Sequence, residues 1–375
     1  MKLKKLVKRK ICYGIVQPGF GNHEGVPVIK AGNIVTGLNR LEDLELATEA
    51  SARKYPRSTL NGGELVISLV GSVGKVAVVP TSFSGANLVR ATGLIDIEDN
   101  TLKYWVKYYI ESPEGQDYIR SNLNTTVQPT LNIKSLEEMD IPIIEEGTMK
   151  RTVSILKSIE DRLVNNALIN ENLLLQAQVL FKERFLAIDD IPLGWKRTTL
   201  GDVSEMSAGG DKPKIISDQR TEEFQYPIYS NGISDEGLYG FTNNYKISSE
   251  SVTVSARGTI GFVCLRHVPF TPIVRLVTLV PRSSIVSAKY LFLWLKSIPI
   301  HGTGTTQQQL TVPDFRKTEI IIPPKADMKA FTETVNPLFH QVWANQDENA
   351  KLADIRDTLL PRLMNGELDV SEIDI

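Results

Sequence analysis

The chain has 375 residues, of which 42% are hydrophobic and 23% charged, and its formal net charge is −2. This composition is typical of a folded protein with room for two domains. It carries no global basic signal for nucleic acid, although basic residues can still cluster locally. No apolar run approaches the roughly 18 residues of a membrane span. The two cysteines lack CxxC spacing, which favours free thiols in a reducing cytoplasm.

Residues 1–147 are predicted to form a strand-rich domain. Short apolar runs bounded by Gly, Pro and Asn, such as residues 63–70, are the usual strand signal. The segment Gly71-Ser-Val-Gly-Lys75 resembles a phosphate-binding loop, but it has Leu69 in place of the first Gly and Val76 in place of the metal-binding Ser or Thr. We therefore predict a tight turn that displays a basic side chain.

A long helix is predicted over residues 148–188, because apolar residues or Asn recur there at alternating steps of three and four. A second strand-rich domain is predicted over 189–326. A second long helix with a C-terminal tail is predicted over 327–375. The seams of the two helices comprise Leu156, Leu163, Asn166, Asn170, Leu173 and Leu180 in the first, and Val335, Val342, Asn345, Asn349, Leu352 and Leu359 in the second.

The second half of the chain repeats the first. Superimposing the two halves places Asn166 on Asn345 and Asn170 on Asn349, while the first part of each copy is more variable. Tandem copies related by a pseudo-twofold axis would pair the two helices antiparallel, with Asn170 facing Asn345. Buried Asn fixes the register of a coiled coil. The predicted fold is therefore α+β, with two pseudo-twofold-related α/β domains separated by an antiparallel two-helix coiled coil.

No constellation of residues predicts catalysis or a metal site. The four His have no paired spacing, no GxSxG or Cys/His pair occurs, and the sequence has no adenine-methylating tetrapeptide. The chain is therefore predicted to bind rather than to catalyse, with its binding residues on polar loops. The candidates are residues of types that suit base edges or phosphates, although the same types are common in ordinary loops. They are Lys30, Asn33, Ser72, Lys75, Asn124, Asn231, Ser255, Arg257, Thr305 and Gln307.

The C-terminal stretch Arg356-Asp-Thr-Leu-Leu-Pro-Arg-Leu-Met-Asn-Gly-Glu-Leu368 closely resembles the end of the specificity subunits of Type I restriction-modification enzymes. Gly194-Trp195 followed by Leu200-Gly-Asp202 is similar to the opening of that family's recognition module. The runs 226–232 and 254–261 resemble the module interior. The resemblance covers essentially the whole chain. The first copy departs from the pattern because it starts within this opening. We expect either that the other end of the molecule supplies the missing piece or that the first module is trimmed.

This resemblance implies two target recognition domains, each reading one half of a split site in double-stranded DNA, with spacer helices that set the gap. The implied partners are two methyltransferase subunits and the restriction/translocase subunits. S-adenosylmethionine, ATP and Mg are expected only in those partners, and this cytoplasmic, non-catalytic chain is expected to hold no cofactor. The alternatives are a duplicated coiled-coil interaction protein that binds protein or carbohydrate, and an enzyme with a divergent active site.

Overall fold

The computed structural model describes residues 1–19, 24–38, 40–124, 128–187, 191–302, 309–370 and 373. The chain divides into two compact units. The first comprises Met1–Asn165 with Glu348–Ile375, and the second comprises Asn166–Asp347. Each unit holds one strand-rich module and one half of each of two long helices. The four-part division predicted from the sequence, which assigns each long helix whole, stays a prediction.

The described residues of the first unit's module form three small sheets. A four-stranded antiparallel sheet has the order β1-β7-β4-β5, a three-stranded mixed sheet has the order β3-β2-β6, and β8 pairs with β9. The strands are β1 (Arg9–Tyr13), β2 (Val26–Ile29), β3 (Glu45–Ala47), β4 (Leu65–Ser68), β5 (Val76–Val78), β6 (Asn87–Leu88), β7 (Thr92–Asp96), β8 (Leu123–Asn124) and β9 (Thr130–Leu131). All four residues of β4 are buried, as expected for a continuous apolar run in the middle of a sheet.

Helices connect and cover these strands. They are α1 (Ala31–Thr36), α2 (Glu49–Ala52), α3 (Asn100–Glu111), α4 (Pro113–Ser121), α5 (Ile133–Glu137) and the long helix α6 (Glu146–Phe185). Helix α3 begins where the Asp99 carboxylate accepts a hydrogen bond from the Leu102 amide at 2.7 Å. Trp105 then anchors α3, because its ring N–H donates to the Pro142 carbonyl at 2.7 Å and its side chain is fully buried.

The module of the second unit repeats this topology. Its four-stranded sheet has the order β11-β17-β14-β15 and its three-stranded sheet the order β13-β12-β16, while β10 pairs with β18. The elements are β10 (Lys196–Thr199), α7 (Leu200–Val203), β11 (Ser204–Ala208), β12 (Tyr226–Tyr229), β13 (Leu238–Thr242), β14 (Ser251–Val254), β15 (Val263–Arg266), β16 (Thr271–Pro272), β17 (Val277–Pro281), α8 (Ala288–Ser297), α9 (Val312–Phe315), β18 (Glu319–Ile322) and the long helix α10 (Lys325–Met364). The predicted duplication is confirmed for the seven strands of the four- and three-stranded sheets, whereas the two-stranded pairs β8-β9 and β10-β18 differ between the described parts of the units.

The opening of the second module has a partial counterpart in the first. In the second unit the buried Leu200 follows β10, and its amide donates to the Thr318 carbonyl at 3.0 Å. In the first unit the buried Leu3 makes the matching bond to the Met139 carbonyl at 2.9 Å. The chain therefore places Leu3 where the repeat requires Leu200.

The long helices pair antiparallel within each unit. In the second unit Asn345 Nδ2 donates to Asn170 Oδ1 at 2.8 Å, as the predicted opposition of these residues requires, and Asn170 Nδ2 donates to the Val342 carbonyl at 3.4 Å. In the first unit the repeat-related Asn349 donates to the Leu163 carbonyl at 3.3 Å. Of the other predicted seam residues, Leu156, Asn166, Val335 and Val342 are buried, whereas Leu173, Leu352 and Leu359 are half-buried.

One seam assignment is wrong. Leu180 is 37% exposed, whereas its neighbour Phe181 is 1% exposed. The buried positions at this end of α6 are Ala177, Phe181 and Phe185, which follow one another at steps of four. The alternating three-four pattern ends here because the helix buries this face in the aromatic core of the second module as well as against α10.

No helix among the described residues has the length and apolar character needed to cross a lipid bilayer.

Candidate nucleic-acid interface

A tight turn joins β14 to β15 in the second unit. Gly258 and Gly261 adopt left-handed φ angles of 68° and 84°, which favour glycine. Two backbone hydrogen bonds close the turn. The Gly261 amide donates to the Ser255 carbonyl at 3.0 Å, and the Ser255 amide donates to the Phe262 carbonyl at 2.9 Å. Arg257 is exposed on this turn, and its Nε donates to Gln309 Oε1 at 3.0 Å.

A strained loop lies beside this turn. Val274 and Arg275 both have left-handed φ angles, 51° and 61°, and a β-branched residue such as Val274 rarely adopts this conformation. Two backbone bonds hold the loop, from the Val274 amide to Gly210 at 2.9 Å and from the Arg275 amide to Gly209 at 2.8 Å. Strain of this kind persists only where the surroundings impose it, and it is concentrated at functional sites.

Asn231 connects the turn to the strained loop. Its Nδ2 donates to the Val274 carbonyl at 2.6 Å and its Oδ1 accepts from the Ala256 amide at 2.7 Å. Both ends of the amide are therefore occupied, and Asn231 serves to position the loops rather than to bind a base edge with both groups. Ser255 is 2% exposed and its hydroxyl donates to the Asn231 carbonyl, so its assignment as a surface contact is wrong.

Five exposed cations surround the strained loop, and we name them the basic patch: Lys212, Lys214, Lys246, Arg257 and Arg275. They line two adjoining grooves of about 500 and 430 Å³, which share Asp211 and Lys212. Within the described part of the chain none of the five forms an ion pair with a carboxylate. Their positive charge is therefore available to an anionic partner.

Aromatic and amide side chains accompany these charges. Tyr239 and Tyr245 are 45% and 42% exposed, and Lys212 Nζ lies 6.0 Å from the centroid of the Tyr239 ring. Asn243 and Asn244 line the 430 Å³ groove. Cations suit the phosphates of a duplex, whereas amides can also bond to base edges. The surface therefore combines cations suited to phosphates with amides suited to base edges.

The equivalent turn of the first unit joins β4 to β5. Gly71 and Gly74 have φ angles of 79° and 86°, and Lys75 and Ser72 are exposed on the turn. The turn contacts the β8-β9 hairpin, because the Gly71 amide donates to the Pro129 carbonyl at 3.2 Å, and the hairpin carries the exposed Asn124. The structure therefore brings Ser72, Lys75 and Asn124 onto neighbouring segments, and the predicted tight turn with a displayed lysine is confirmed.

Lys30 and Asn33 are engaged locally. Lys30 Nζ forms an ion pair with Glu45 at 2.5 Å, and Asn33 Oδ1 accepts from the Lys30 amide at 2.8 Å, which caps α1. The Asn33 acceptor is therefore committed to the backbone. Thr305 and Gln307 lie outside the described residues, and their assignment stays a prediction.

The sequence reading missed Lys212, Lys214, Lys246, Arg275 and Tyr239. The run Gly209-Gly-Asp-Lys-Pro-Lys214 carried a usable signal, because paired glycines beside lysines are typical of a backbone that approaches a ligand closely. Arg275 and Lys246 have no such signal, since only the folding of strands distant in sequence places them beside Arg257.

Known proteins share this organisation. A family model described as the Type I restriction modification DNA specificity domain matches the chain twice, over residues 16–173 and 192–352. The Type I restriction enzyme MjaIX specificity subunit of Methanocaldococcus jannaschii is 25% identical over 362 residues, covering 87% of this chain and 81% of that protein. A Mycoplasma pneumoniae relative in the same class is 29% identical over 227 residues, which cover 60% of this chain and 61% of that relative.

The fold is also shared. The crystal structure of the S subunit of a Type I restriction-modification system from M. genitalium aligns with a TM-score of 0.58 at 15% identity, covering 97% of this chain and 95% of that one. None of these matches favours a protein- or carbohydrate-binding module. Since the family model covers well over half of the sequence in two copies, the chain belongs to the Type I restriction modification DNA specificity family.

Proposed function

We propose that the chain is the non-catalytic DNA-recognition subunit of a Type I restriction-modification complex. Each module reads one half of a bipartite site in double-stranded DNA, and the paired long helices set the gap between the halves. The observation that carries the proposal is the basic patch, which provides five cations without carboxylate partners among the described residues, beside a strained loop in a DNA specificity module.

The chemistry belongs to other subunits in this proposal. Two methyltransferase subunits supply adenine methylation with S-adenosylmethionine, and restriction/translocase subunits supply ATP- and Mg-dependent translocation and cleavage. The described residues include no group of three or more His, Cys, Asp or Glu placed to hold a metal. We place the assembly in the cytoplasm, where the cell's DNA lies.

Removing charge from the basic patch tests the DNA-binding surface. Binding to duplex DNA is measured across a salt series with the methyltransferase subunits present. Replacing Lys212, Lys246 and Arg275 together by Gln is expected to weaken binding to all duplexes and to reduce the salt slope by up to about 3, roughly one for each lost phosphate contact. The control is Arg197→Gln, because Arg197 is exposed but already paired with Glu319 at 2.6 Å. An equal slope in both variants would refute the assigned surface.

Exchanging one module tests the division of labour. Residues 191–325 are replaced by the corresponding module of another family member, and the methylated sequence is determined. We expect one half of the recognised site to change while the other half and the gap remain. A change in both halves, or in neither, would contradict the assignment of one half-site to each module.

A further inference from the structure

A groove in the first unit collects three lysines, and its described lining includes no acidic residue. It has a volume of about 570 Å³ and lies between the edge strand β5, helix α3 and helix α6. We name it the lysine groove. Its lining includes Gly63, Pro80, Lys103, Tyr104, Lys150 and Lys157. The volume lies within the range of roughly 300–1,000 Å³ that is typical of small-molecule sites.

Lys103 is the central group of this groove. It is 8% exposed, and its Nζ donates to the neutral Asn100 Oδ1 at 2.9 Å. Within the described residues it forms no ion pair, whereas the other lysines in the groove each pair with an acid on their own helix, Lys150 with Glu146 and Lys157 with Asp161. A buried charge is costly unless it is paired. Lys103 therefore lacks the counter-ion that its burial calls for.

The second unit contains that counter-ion at the equivalent place. The buried Lys289 of α8 pairs with Glu250 at 2.6 Å and lies 5.0 Å from the Trp343 ring, on which His267 stacks at 4.3 Å. A carboxylate and two aromatic rings thus occupy the corner between the edge strand, the following helix and the long helix.

Strand register identifies the corresponding positions. Leu65 pairs with Val78 in the first unit as Val252 pairs with Leu265 in the second. The positions two residues outward from these pairs correspond in the same way. Gly63 in the first unit then corresponds to Glu250 in the second, and Pro80 corresponds to His267. A Cβ built on Gly63 would lie 3.7 Å from Lys103 Nζ. The first unit therefore has a largely buried lysine that faces an open groove where the second has a carboxylate and a ring.

We propose that the lysine groove binds a small organic anion whose carboxylate or phosphate oxygens pair with Lys103 and whose planar apolar body packs against Tyr104. The Lys150 and Lys157 ammonium groups at the rim, although paired with Glu146 and Asp161, offer further hydrogen-bond donors. This site is distinct from the basic patch, and the proposal does not depend on the proposed DNA-reading function.

Calorimetric titration of the full chain with four probes tests the proposal. AMP provides a phosphate with a planar base, salicylate a carboxylate with a ring, inorganic phosphate the oxyanion alone, and adenosine the planar group alone. We expect AMP or salicylate to bind once per chain, at least tenfold more tightly than inorganic phosphate or adenosine. The tighter of the two identifies the better-fitting ligand.

Variants then locate the binding. Lys103→Met and Ser154→Glu, which places a carboxylate in the groove, should each weaken binding at least tenfold. Lys150→Met should weaken it less, and Lys329→Met, at the repeat-related exposed position of α10, should leave it unchanged. Thermal unfolding checks that each variant folds. The proposal would be overturned if neither AMP nor salicylate bound, or if Lys103→Met bound them as tightly as the unsubstituted chain. It would also be overturned if Lys329→Met weakened binding as much as Lys103→Met does.

Discussion

The two units share their strand order but differ in the chemistry that joins each module to the long helices. In the second unit the junction is aromatic, since Phe185 packs edge-on against Tyr290 and Phe331 with ring centroids 5.0 and 4.9 Å apart. The repeat-related positions of Phe181 and Phe185 in the first unit hold Leu360 and Met364, which are 8% and 7% exposed. Equivalent positions are thus buried in both units with different side chains.

The first unit has an ionic cluster where the second has further rings. The buried Lys107 pairs with Glu160 at 2.7 Å and with Glu111 at 2.9 Å. Glu160 repeats the position of Phe339, whose ring packs edge-on against Phe292 at 5.9 Å. The comparison shows that strand pairing and burial pattern specify this topology, whereas the junction tolerates an ionic or an aromatic solution.

The largest expected difference between the units concerns the aromatic junction. Phe185→Ala should destabilise the second unit by about 3–5 kcal/mol, because it removes a fully packed ring. Met364→Ala at the repeat-related position should cost the first unit only about 2 kcal/mol, at the low end for such truncations, because Met fills space adaptably. Hydrogen exchange of β14 and β4 during chemical denaturation measures the two units separately. Equal losses would remove the contrast between the junctions.

The ionic cluster should respond to the loss of its cation. Lys107→Met leaves Glu111 and Glu160 without their shared partner and should cost the first unit about 2 kcal/mol, less than a fully buried pair because the carboxylates are 31% and 32% exposed. Burial raises the pKa of Glu111, which already opposes its ionisation. Adding Glu111→Gln and Glu160→Gln should restore most of the stability, as measured by denaturant unfolding. A triple variant as unstable as the single one would contradict the charge explanation.

Repetition made the topology predictable, because turns with matched glycines imply matched strands on either side. The Asn170–Asn345 opposition was also accessible, since facing Asn residues in an apolar seam fix one register. Leu180 was misassigned because a heptad pattern describes helix against helix, and α6 also packs against a module at that end. The basic patch was predictable only in part: Arg257 was predicted and the run 209–214 carried a signal, but Lys246 and Arg275 reach Arg257 only through strand pairing that no local pattern encodes.

The helix pair is where the units are most alike, and a double-mutant cycle measures its polar middle. Asn345→Leu removes the bond to Asn170 Oδ1 and leaves Gln341, which donates to Asn345 Oδ1 at 2.8 Å, without that acceptor. The expected cost is about 1–2 kcal/mol. Asn170→Leu with Asn345→Leu should recover stability, because two apolar residues replace a bonded pair. Additive losses in the double variant would show that the two Asn side chains act independently.

The smallest expected effect is a difference between the units in how their stability depends on pH. Burial against Trp343 lowers the pKa of His267, an effect that Lys289 and Arg266 reinforce and that Asp347 and Glu250 oppose. A histidine with a depressed pKa in the folded state binds fewer protons than the unfolded chain, so the second unit should lose stability as the pH falls below about 6.5. The first unit has Pro80 at this position and cannot share this dependence. His267→Gln should flatten the pH profile of the second unit between pH 7 and 5, as followed by hydrogen exchange of β14, while β4 in the same molecule serves as the control. Since His267 remains exposed despite this stacking, the change should be small. An identical profile before and after the substitution would assign the acid sensitivity to the carboxylates instead.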